Sequence, residues 1–481
     1  MDTELPASSP QNEAPPAVEP EASPPDSKPA PSRPSPRRTL ARRLGLTRKG
    51  VDQLGRRAIF LLGGLCVGGA AVAMALLALR AEALFHRVTA LSPALALVVT
   101  PVGFGIAVWL ARNVFPNSQG SGIPQVIAAR KIEDKPTRSA LVSLRVSLGK
   151  IVVMMLGLLC GASIGREGPT VQVGASIMYF IGRRSPIVYQ QNLLLAGAAA
   201  GIAAAFNTPL AGIVFGIEEL SRAFEAKASG LVIGCIIAAG VTSLAIQGDY
   251  TYFGTTDATM PLGVPWLAVP ICAAVGGALG GLFSRMVLYC LASDPRKGLR
   301  RLTTTYPIAF AVLCGLGVAL VGQLGAHASF GTGYEQARKI LHGEGSFTLL
   351  YMPLKFLATL FSSVSGIPGG LFAPSLSVGA GLGAEFHAIF PAIPIGALVL
   401  IGMASYLTGV VQTPITSFVI VSEMTQDHEM VIPLMVAALI ADAVSRLVCK
   451  DGIYHALSRV FIPPAPPKPA DEDLDELSEP T

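Results

Sequence analysis

Two short segments that begin half-helices stand at an offset of 205 in the numbering of this chain, and the same offset recurs along much of the sequence. They read Gly165-Arg166-Glu167-Gly168-Pro169 and Gly370-Leu371-Phe372-Ala373-Pro374. The same offset relates Lys150 to Lys355, Gly197 to Gly402, Thr208-Pro209 to Thr413-Pro414, and Glu218 to Glu423. Over residues 161–175 the copies agree at 6 of 15 positions, where chance agreement in a Gly/Ala-rich chain is roughly one in ten. The chain therefore contains two copies of one unit.

The composition assigns both copies to a membrane. Of the 481 residues, 51% are hydrophobic and only 14% are charged, against about 25% charged in an average soluble domain. Apolar stretches follow one another from residue 58 to residue 449, and several are too short or too interrupted by Gly and Pro to span a bilayer of ~30 Å. We expect an all-α polytopic membrane protein that mixes full spans with half-helices, the pattern of a transporter core with its site between the repeats.

The flanks give the domain plan and the orientation. Residues 1–50 are rich in Pro, Ala, Ser and Glu and are predicted to be a disordered cytoplasmic tail. The membrane domain is expected over 51–460, with repeat one at about 58–247 and repeat two at about 264–450, and a short acidic cytoplasmic tail over 461–481. Basic residues are frequent just before the first span and in the 294–303 loop, whereas the 248–263 loop has none. The positive-inside rule then places the N-terminus and the 294–303 loop in the cytoplasm and the 248–263 loop outside. We expect both termini to be cytoplasmic and the protein to lie in the inner membrane of the cell.

Other classes of function receive little support. The seven cysteines include no CxxC pair and the six histidines are scattered, so we expect no metal site and no cofactor. The basic N-terminal cluster lies next to a span and therefore indicates orientation rather than a nucleic-acid partner. An intramembrane hydrolase is a distant alternative, because Gly161 to Gly165 fits GxSxG and Ser147 to Lys150 fits SxxK. That elbow requires a preceding strand and a partner histidine, and the sequence indicates neither.

Glu167 is the sharpest candidate for function, since an ionisable residue inside a membrane segment is costly to keep. Pro169 suits the first turn of a helix, so the free N–H groups of that turn form an anion site. The Glu167 carboxylate is itself an anion that competes with a mobile halide for those donors. Protonation removes this competition, and it thereby couples proton occupancy to anion occupancy.

Two further breaks add donors around the same site. In the second copy Phe372 stands where Glu167 stood, so the titratable group occurs once while the backbone N–H groups are retained. Gly120-Ser121-Gly122-Ile123-Pro124 supplies a hydroxyl donor between two glycines.

Together these segments resemble the three filter segments of the CLC family of chloride channels and chloride/proton antiporters, in the family's order. They are GSGIP at 120–124, GREGP at 165–169 and GGLFAP at 369–374, and the similarity runs over roughly 55–460, including AAAFNTPLAGIVFGIEE at 203–219 and Tyr454. The resemblance implies an all-helical homodimer in a lipid bilayer. Each subunit would contain two inverted-topology repeats and its own pathway.

The resemblance also implies roles for individual residues. Ser121, the Tyr454 hydroxyl and the backbone N–H groups of Leu371 and Phe372 would hold a central anion. Backbone around Arg166, Gly168 and Ala373 would form an outer site, Glu167 would be the external gate, and Glu219 would transfer protons on the internal side. Glu218 has a counterpart in Glu423 and is expected to be architectural, whereas Glu219 pairs with Met424.

The sequence thus predicts a non-enzymatic antiporter that exchanges chloride for protons. A passive chloride channel of the same family is the nearer alternative. Glu219 argues against it, because channel-type relatives lack an acid at that position.

Overall fold

In the computed structural model the described residues are 48–183, 187–221, 230–248, 251–292, 294, 298–344 and 349–463. Most of the predicted N-terminal tail and C-terminal tail lies outside them. Their regular structure is helical, and they form no strand. The α-helices in chain order are α1 Arg48–Leu91, α2 Ala96–Asn113, α3 Ile123–Lys131, α4 Lys135–Leu141, α5 Leu144–Leu159, α6 Glu167–Gly182, α7 Ile187–Phe206, α8 Pro209–Phe215, α9 Gly230–Gln247, α10 Ala268–Leu291, α11 Gly298–Thr305, α12 Pro307–Leu324, α13 Tyr334–Leu341, α14 Tyr351–Val364, α15 Phe372–Ile389, α16 Ile395–Val411, α17 Pro414–Thr425, α18 Val431–Val448 and α19 Ile453–Ser458.

The helices repeat in order, as the duplication requires. The helices α6, α7 and α8 have their counterparts in α15, α16 and α17, at the offset that the sequence motifs show. The offset is slightly larger earlier in the chain, where α2 and α3 match α12 and α13, and slightly smaller later, where α9 matches α18. The connections therefore differ a little in length, while the helices keep their order. The fold class predicted from the sequence is confirmed.

Backbone angles repeat with the helices. Gly161 and Gly366, which follow α5 and α14, have φ of 79° and 91°, a region that only glycine enters readily. Asn207 and Gln412 also share a left-handed conformation, with φ of 58° and 57°. Each is followed by a Thr-Pro pair that begins the next helix, because proline is favoured in the first helical turn.

Glycine contacts hold the two equivalent helix pairs at close distance. A Cβ built on Gly174 of α6 would lie 2.2 Å from the Gly197 carbonyl oxygen of α7. In the second copy a Cβ on Gly379 would lie 2.5 Å from the Gly402 carbonyl oxygen. Small residues let membrane helices approach this closely when burial of apolar area gives no driving force. The buried helices α6 and α15 are thereby fixed against α7 and α16.

Seven helical segments of the described residues are long and apolar enough to cross a bilayer. They are Gln53–Leu91, Pro93–Asn113, Lys135–Leu159, Gly230–Gln247, Val264–Leu291, Pro307–Leu324 and Val431–Val448. The helices α3, α8 and α13, with seven to nine residues each, are much too short to span. This is the expected mixture of spans and half-helices in a multi-pass membrane protein. The described residues from Gly55 onward form one compact unit, which contains most of α1 and all later helices. The domain limits expected from the sequence stay a prediction.

Candidate anion and proton site

Three helix starts converge at the middle of the compact unit. Gly165 N–H donates to the Gly370 carbonyl over 2.8 Å, and Gly370 N–H donates to the Gly165 carbonyl over 2.7 Å. This reciprocal pair brings the N-terminus of α6 against that of α15 in antiparallel fashion. The segment before α3 joins them, because Gly369 N–H donates to the Gly120 carbonyl over 3.2 Å. Three positive helix ends therefore face one region.

Glycines are required at this meeting point. A Cβ on Gly168 would lie 2.4 Å from the Ser121 hydroxyl oxygen, and one on Gly165 would lie 2.2 Å from a Glu167 carboxylate oxygen. Gly122, whose φ is 102°, would clash in the same way with the Gly168 carbonyl oxygen. The glycines of the three motifs thus allow Ser121, Glu167 and the backbone to share one small volume.

Glu167 is the first residue of α6, and its side chain is completely buried. Its carboxylate lies beside the backbone N–H groups of Glu167 and Ala373, but neither oxygen makes a hydrogen bond of standard geometry. The first intrahelical bond of α6 is donated by Thr170 to Arg166, so the earlier N–H groups have no carbonyl one turn back. The acid occupies the helix end that an anion would occupy, and it does not face lipid.

Ser121 and Tyr454 meet from opposite ends of the chain. Their hydroxyl groups are neighbours and both oxygens are buried without a bond of standard geometry. The ring of Tyr454 stacks on Phe372, with 6.2 Å between centroids, and Phe372 and Leu371 open α15. The four proposed contacts of a central anion therefore lie together, within electrostatic range of Glu167.

Arg166 and Ala373, predicted at the outer site, flank Glu167. Both are buried, and the Arg166 guanidinium lies 5.8 Å from the centre of the Tyr252 ring. Arg166 also lines a cavity of about 240 Å³ together with Glu82 and Tyr334. This cavity therefore extends to Arg166, the residue that precedes Glu167.

Glu219 lies in a π-helical turn, Gly216–Ser221, and is 2% exposed. His455 Nε2 lies 3.0 Å from the Glu219 carbonyl oxygen and 3.6 Å from a Glu219 carboxylate oxygen. Tyr454, the neighbour of His455, lies within electrostatic range of both Glu219 and Glu167. π-Helical turns inside helices are frequent at functional sites. His455 is not among the site residues predicted from the sequence, where only its position after Tyr454 could have indicated it.

Glu218 has a different environment from Glu219. Its carboxylate accepts bonds from the N–H groups of Ile415 and Thr416 at the start of α17, over 3.1 and 2.6 Å. Glu423 reciprocates by accepting from Leu210 and Ala211 at the start of α8, over 3.1 and 2.8 Å. Each repeat therefore caps a helix of the other, and the pair has the architectural contacts expected of it.

Two buried lysines, which the sequence showed only to be equivalent in the two repeats, bind the segments that precede α3 and α13. Lys150 Nζ donates to the carbonyls of Gln119 and Gly120, just before Ser121, over 3.2 and 2.8 Å. Lys355 makes the equivalent bonds to Ser329 and Gly331 over 3.1 and 2.7 Å. Gly331 precedes α13 as Gly120 precedes α3, so the GSGIP segment also has a counterpart. This counterpart does not stand at the offset of 205 that relates the other motifs.

The environment of Ser163 is not that of a hydrolase nucleophile. The residue lies between α5 and α6, with no strand before it, and its hydroxyl is 2.9 Å from the Thr359 hydroxyl. Lys150 of the SxxK match is engaged with backbone carbonyls.

These observations describe a duplicated helical membrane protein in which the N-termini of half-helices surround one buried acid, as in an anion transporter. The profile of the voltage gated chloride channel family matches residues 102–446. The chain belongs to this family, the CLC family.

Relatives within the family include the H(+)/Cl(-) exchange transporter ClcA of Cronobacter sakazakii, 32% identical over 370 residues that cover 73% of this chain and 76% of the relative. The protein of the same name from Citrobacter koseri is 31% identical, with 75% and 79% covered.

Solved structures show the same fold. A slow cyanobacterial Cl-/H+ antiporter aligns with a TM-score of 0.73 and 25% identity, over 84% of this chain and 98% of that chain. A CLC-type fluoride/proton antiporter aligns with a TM-score of 0.70 and 20% identity, over 85% and 99%. At the latter identity the likeness concerns the fold alone.

Proposed function

We propose that this chain is a secondary active antiporter that exchanges chloride for protons across the inner membrane. One observation carries the proposal: the buried carboxylate of Glu167 lies without a standard hydrogen bond at facing helix N-termini beside Ser121 and Tyr454. The relatives named H(+)/Cl(-) exchange transporter support the same activity. We propose no enzymatic step.

In the proposed cycle, deprotonated Glu167 takes the place of an anion against the N–H groups of α6 and α15. Protonation neutralises it, so the carboxyl leaves and chloride binds in its place. Chloride at the central site is held by Ser121, Tyr454 and the N–H groups of Leu371 and Phe372. The outer site uses backbone around Arg166, Gly168 and Ala373. Because these donors carry only partial charges, the ion is bound without being trapped.

On the other side Glu219 exchanges protons with the interior. Glu219 is buried near Tyr454, which is also within electrostatic range of Glu167. A second acid on the same tyrosine favours proton exchange over passive conduction of chloride. The proton path and the anion path then share Glu167. On the internal side of Glu167 they separate, with protons passing by Glu219 and chloride by the central site.

The decisive experiment is simultaneous recording of chloride and proton flux from proteoliposomes that contain the purified protein. An imposed chloride gradient should drive protons against their own gradient. Chloride flux without proton movement would assign the chain to the passive channel alternative.

Glu167→Gln should abolish proton transport and leave a chloride flux that no longer depends on pH, because the amide cannot become the competing anion. The wild-type flux should fall as pH rises, since deprotonation returns the carboxylate to the anion site. Glu335→Gln, at an exposed acid of α13, is the matched control and should behave as wild type. Proton transport that survives Glu167→Gln would refute the role of this residue.

A further inference from the structure

A second site follows from a large cavity whose wall includes Gly120 and Ser121, just before α3. The cavity has a volume of about 450 Å³. We call it the arginine vestibule, after the two arginines in its wall; its polar lining includes Arg112, Asn117, Gln119, Ser121, Arg300 and Thr303. The arginine vestibule therefore extends from α11 to Ser121.

The two arginines come from separate elements and point into the same space. Arg112 ends α2 and donates to the Thr303 carbonyl over 3.1 Å. Arg300 belongs to α11, and its buried Nε makes no hydrogen bond. Burial and the neighbouring Arg112 guanidinium lower the pKa of Arg300 from its ordinary value. Among the described residues no carboxylate forms an ion pair with either arginine.

This arrangement leaves positive charge unbalanced. Two neighbouring guanidinium groups repel each other, and that of Arg300, which is half-buried, is also partly withdrawn from water. A bound anion removes both costs. The planar fork of a guanidinium matches the paired oxygens of phosphate or carboxylate better than it matches a spherical halide.

The volume admits a polyatomic anion. At about 30 Å³ for each water, a cavity of about 450 Å³ has room for roughly fifteen waters, so an oxyanion fits in a space whose wall contains both guanidinium groups.

We propose that the arginine vestibule binds a small oxyanion with two or more negative charges, of the phosphate or phosphomonoester type, on Arg112 and Arg300. Because Gly120 and Ser121 form part of the same lining, an occupant lies in the path of chloride leaving the central site. The ligand therefore slows transport when bound. This second consequence rests on the proposed function, whereas the binding does not.

Calorimetric titration of the purified full-length protein with inorganic phosphate, at fixed chloride concentration, tests the binding. Arg300→Gln and Arg112→Gln should each weaken phosphate binding about ten-fold or more, since each removes a charge-assisted interaction. Arg301→Gln is the matched control, because Arg301 is exposed on the same helix and does not line the cavity. Arg300→Lys should recover only part of the affinity, because the charge returns without the fork.

A parallel titration with short-chain phosphatidic acid distinguishes a lipid headgroup from a free phosphate as the source of the ligand. Binding of either probe that depends on Arg300 and not on Arg301 supports the site. The absence of binding by both, or binding unchanged in Arg300→Gln, overturns it. These titrations need no turnover, so they remain informative even if the flux experiment refutes chloride/proton exchange.

Transport provides the second readout. Phosphate on the side of the arginine vestibule should slow wild-type chloride flux, and Arg300→Gln should relieve the inhibition while Arg301→Gln should not. Equal inhibition of both variants would contradict a block at Arg300.

Discussion

Four charged side chains of the two repeats have backbone contacts that indicate a structural task. Lys150 and Lys355 bind backbone carbonyls, and Glu218 and Glu423 bind backbone N–H groups. Glu167 is the exception, because both of its oxygens lack standard bonds within a completely buried side chain. A buried polar group of this kind is expensive unless something else binds there. The contrast between satisfied charges and one unsatisfied acid favours Glu167 as the functional residue.

We predict that Lys150→Met weakens chloride binding about ten-fold, because it removes the two hydrogen bonds that hold the carbonyls of Gln119 and Gly120 just before Ser121. Lys355→Met is the control within the same protein. It removes the equivalent ammonium from a loop that carries none of the predicted anion contacts. Both variants should lose roughly 1–3 kcal/mol of stability from unbonded carbonyls. Calorimetric chloride titration and thermal unfolding measure the two effects, and an equal loss of chloride affinity in both would contradict the prediction.

The helices contribute to the proposed site through the free N–H groups at their N-termini. The starts of α3, α6 and α15 are aimed at one region, and their first N–H groups are the donors of the proposed anion site. The starts of α8 and α17 are closed by acids from the opposite repeat. Each of these helix starts is therefore either open to an ion or capped by a carboxylate. The duplication supplies both kinds in pairs.

We predict that Glu218→Ala and Glu423→Ala each destabilise the protein by about 1–2 kcal/mol, the cost of losing a charged helix cap. Chloride/proton coupling should persist in both. Glu219→Gln should have the opposite profile, with proton transport lost and little change in stability. Thermal unfolding paired with flux recordings separates the cases. Loss of chloride/proton coupling in Glu423→Ala, or full chloride/proton exchange in Glu219→Gln, would contradict these assignments.

In the protein as a whole, two cavities reach residues of the proposed site. The arginine vestibule reaches Ser121, and the smaller cavity beside Glu82 reaches Arg166. Basic residues surround the first of these cavities, so we propose that it opens to the cytoplasm.

Labelling of single introduced cysteines tests this orientation. Asp257→Cys, at an exposed position of the 248–263 loop, should react with a membrane-impermeant maleimide added to intact cells. Arg301→Cys should react only after the membrane is opened. The reverse pattern would invert the proposed topology.

We also predict a homodimer, on the basis of the family resemblance. Mass measurement of the protein in lipid nanodiscs should give twice the chain mass of 49.9 kDa, after correction for lipid. A single-chain mass at concentrations that support transport would contradict it.

Much of the fold was predictable because its determinants are local. Gly-Pro breaks, apolar runs and the repeated spacing indicated half-helices in two copies, and α6 and α15 begin within those breaks. The counterpart of the GSGIP segment was missed, because connections of unequal length change the offset between the repeats in that part of the chain. Loop length is weakly constrained in energy, so it drifts while the helices do not.

The amino acids alone were enough to predict the membrane class, the duplication and the single acid at a helix start, and they distinguished Glu218, which has a counterpart in Glu423, from Glu219, which pairs with Met424. Which groups meet was visible only in the packed fold. Tyr454 lies beside Ser121 although one follows the last span and the other belongs to the first repeat, and His455 contacts Glu219. Helix starts are encoded by neighbouring residues, whereas their convergence depends on how distant helices pack. The pairing of Arg112 with Arg300 in one cavity has the same origin, because it joins the end of α2 to α11.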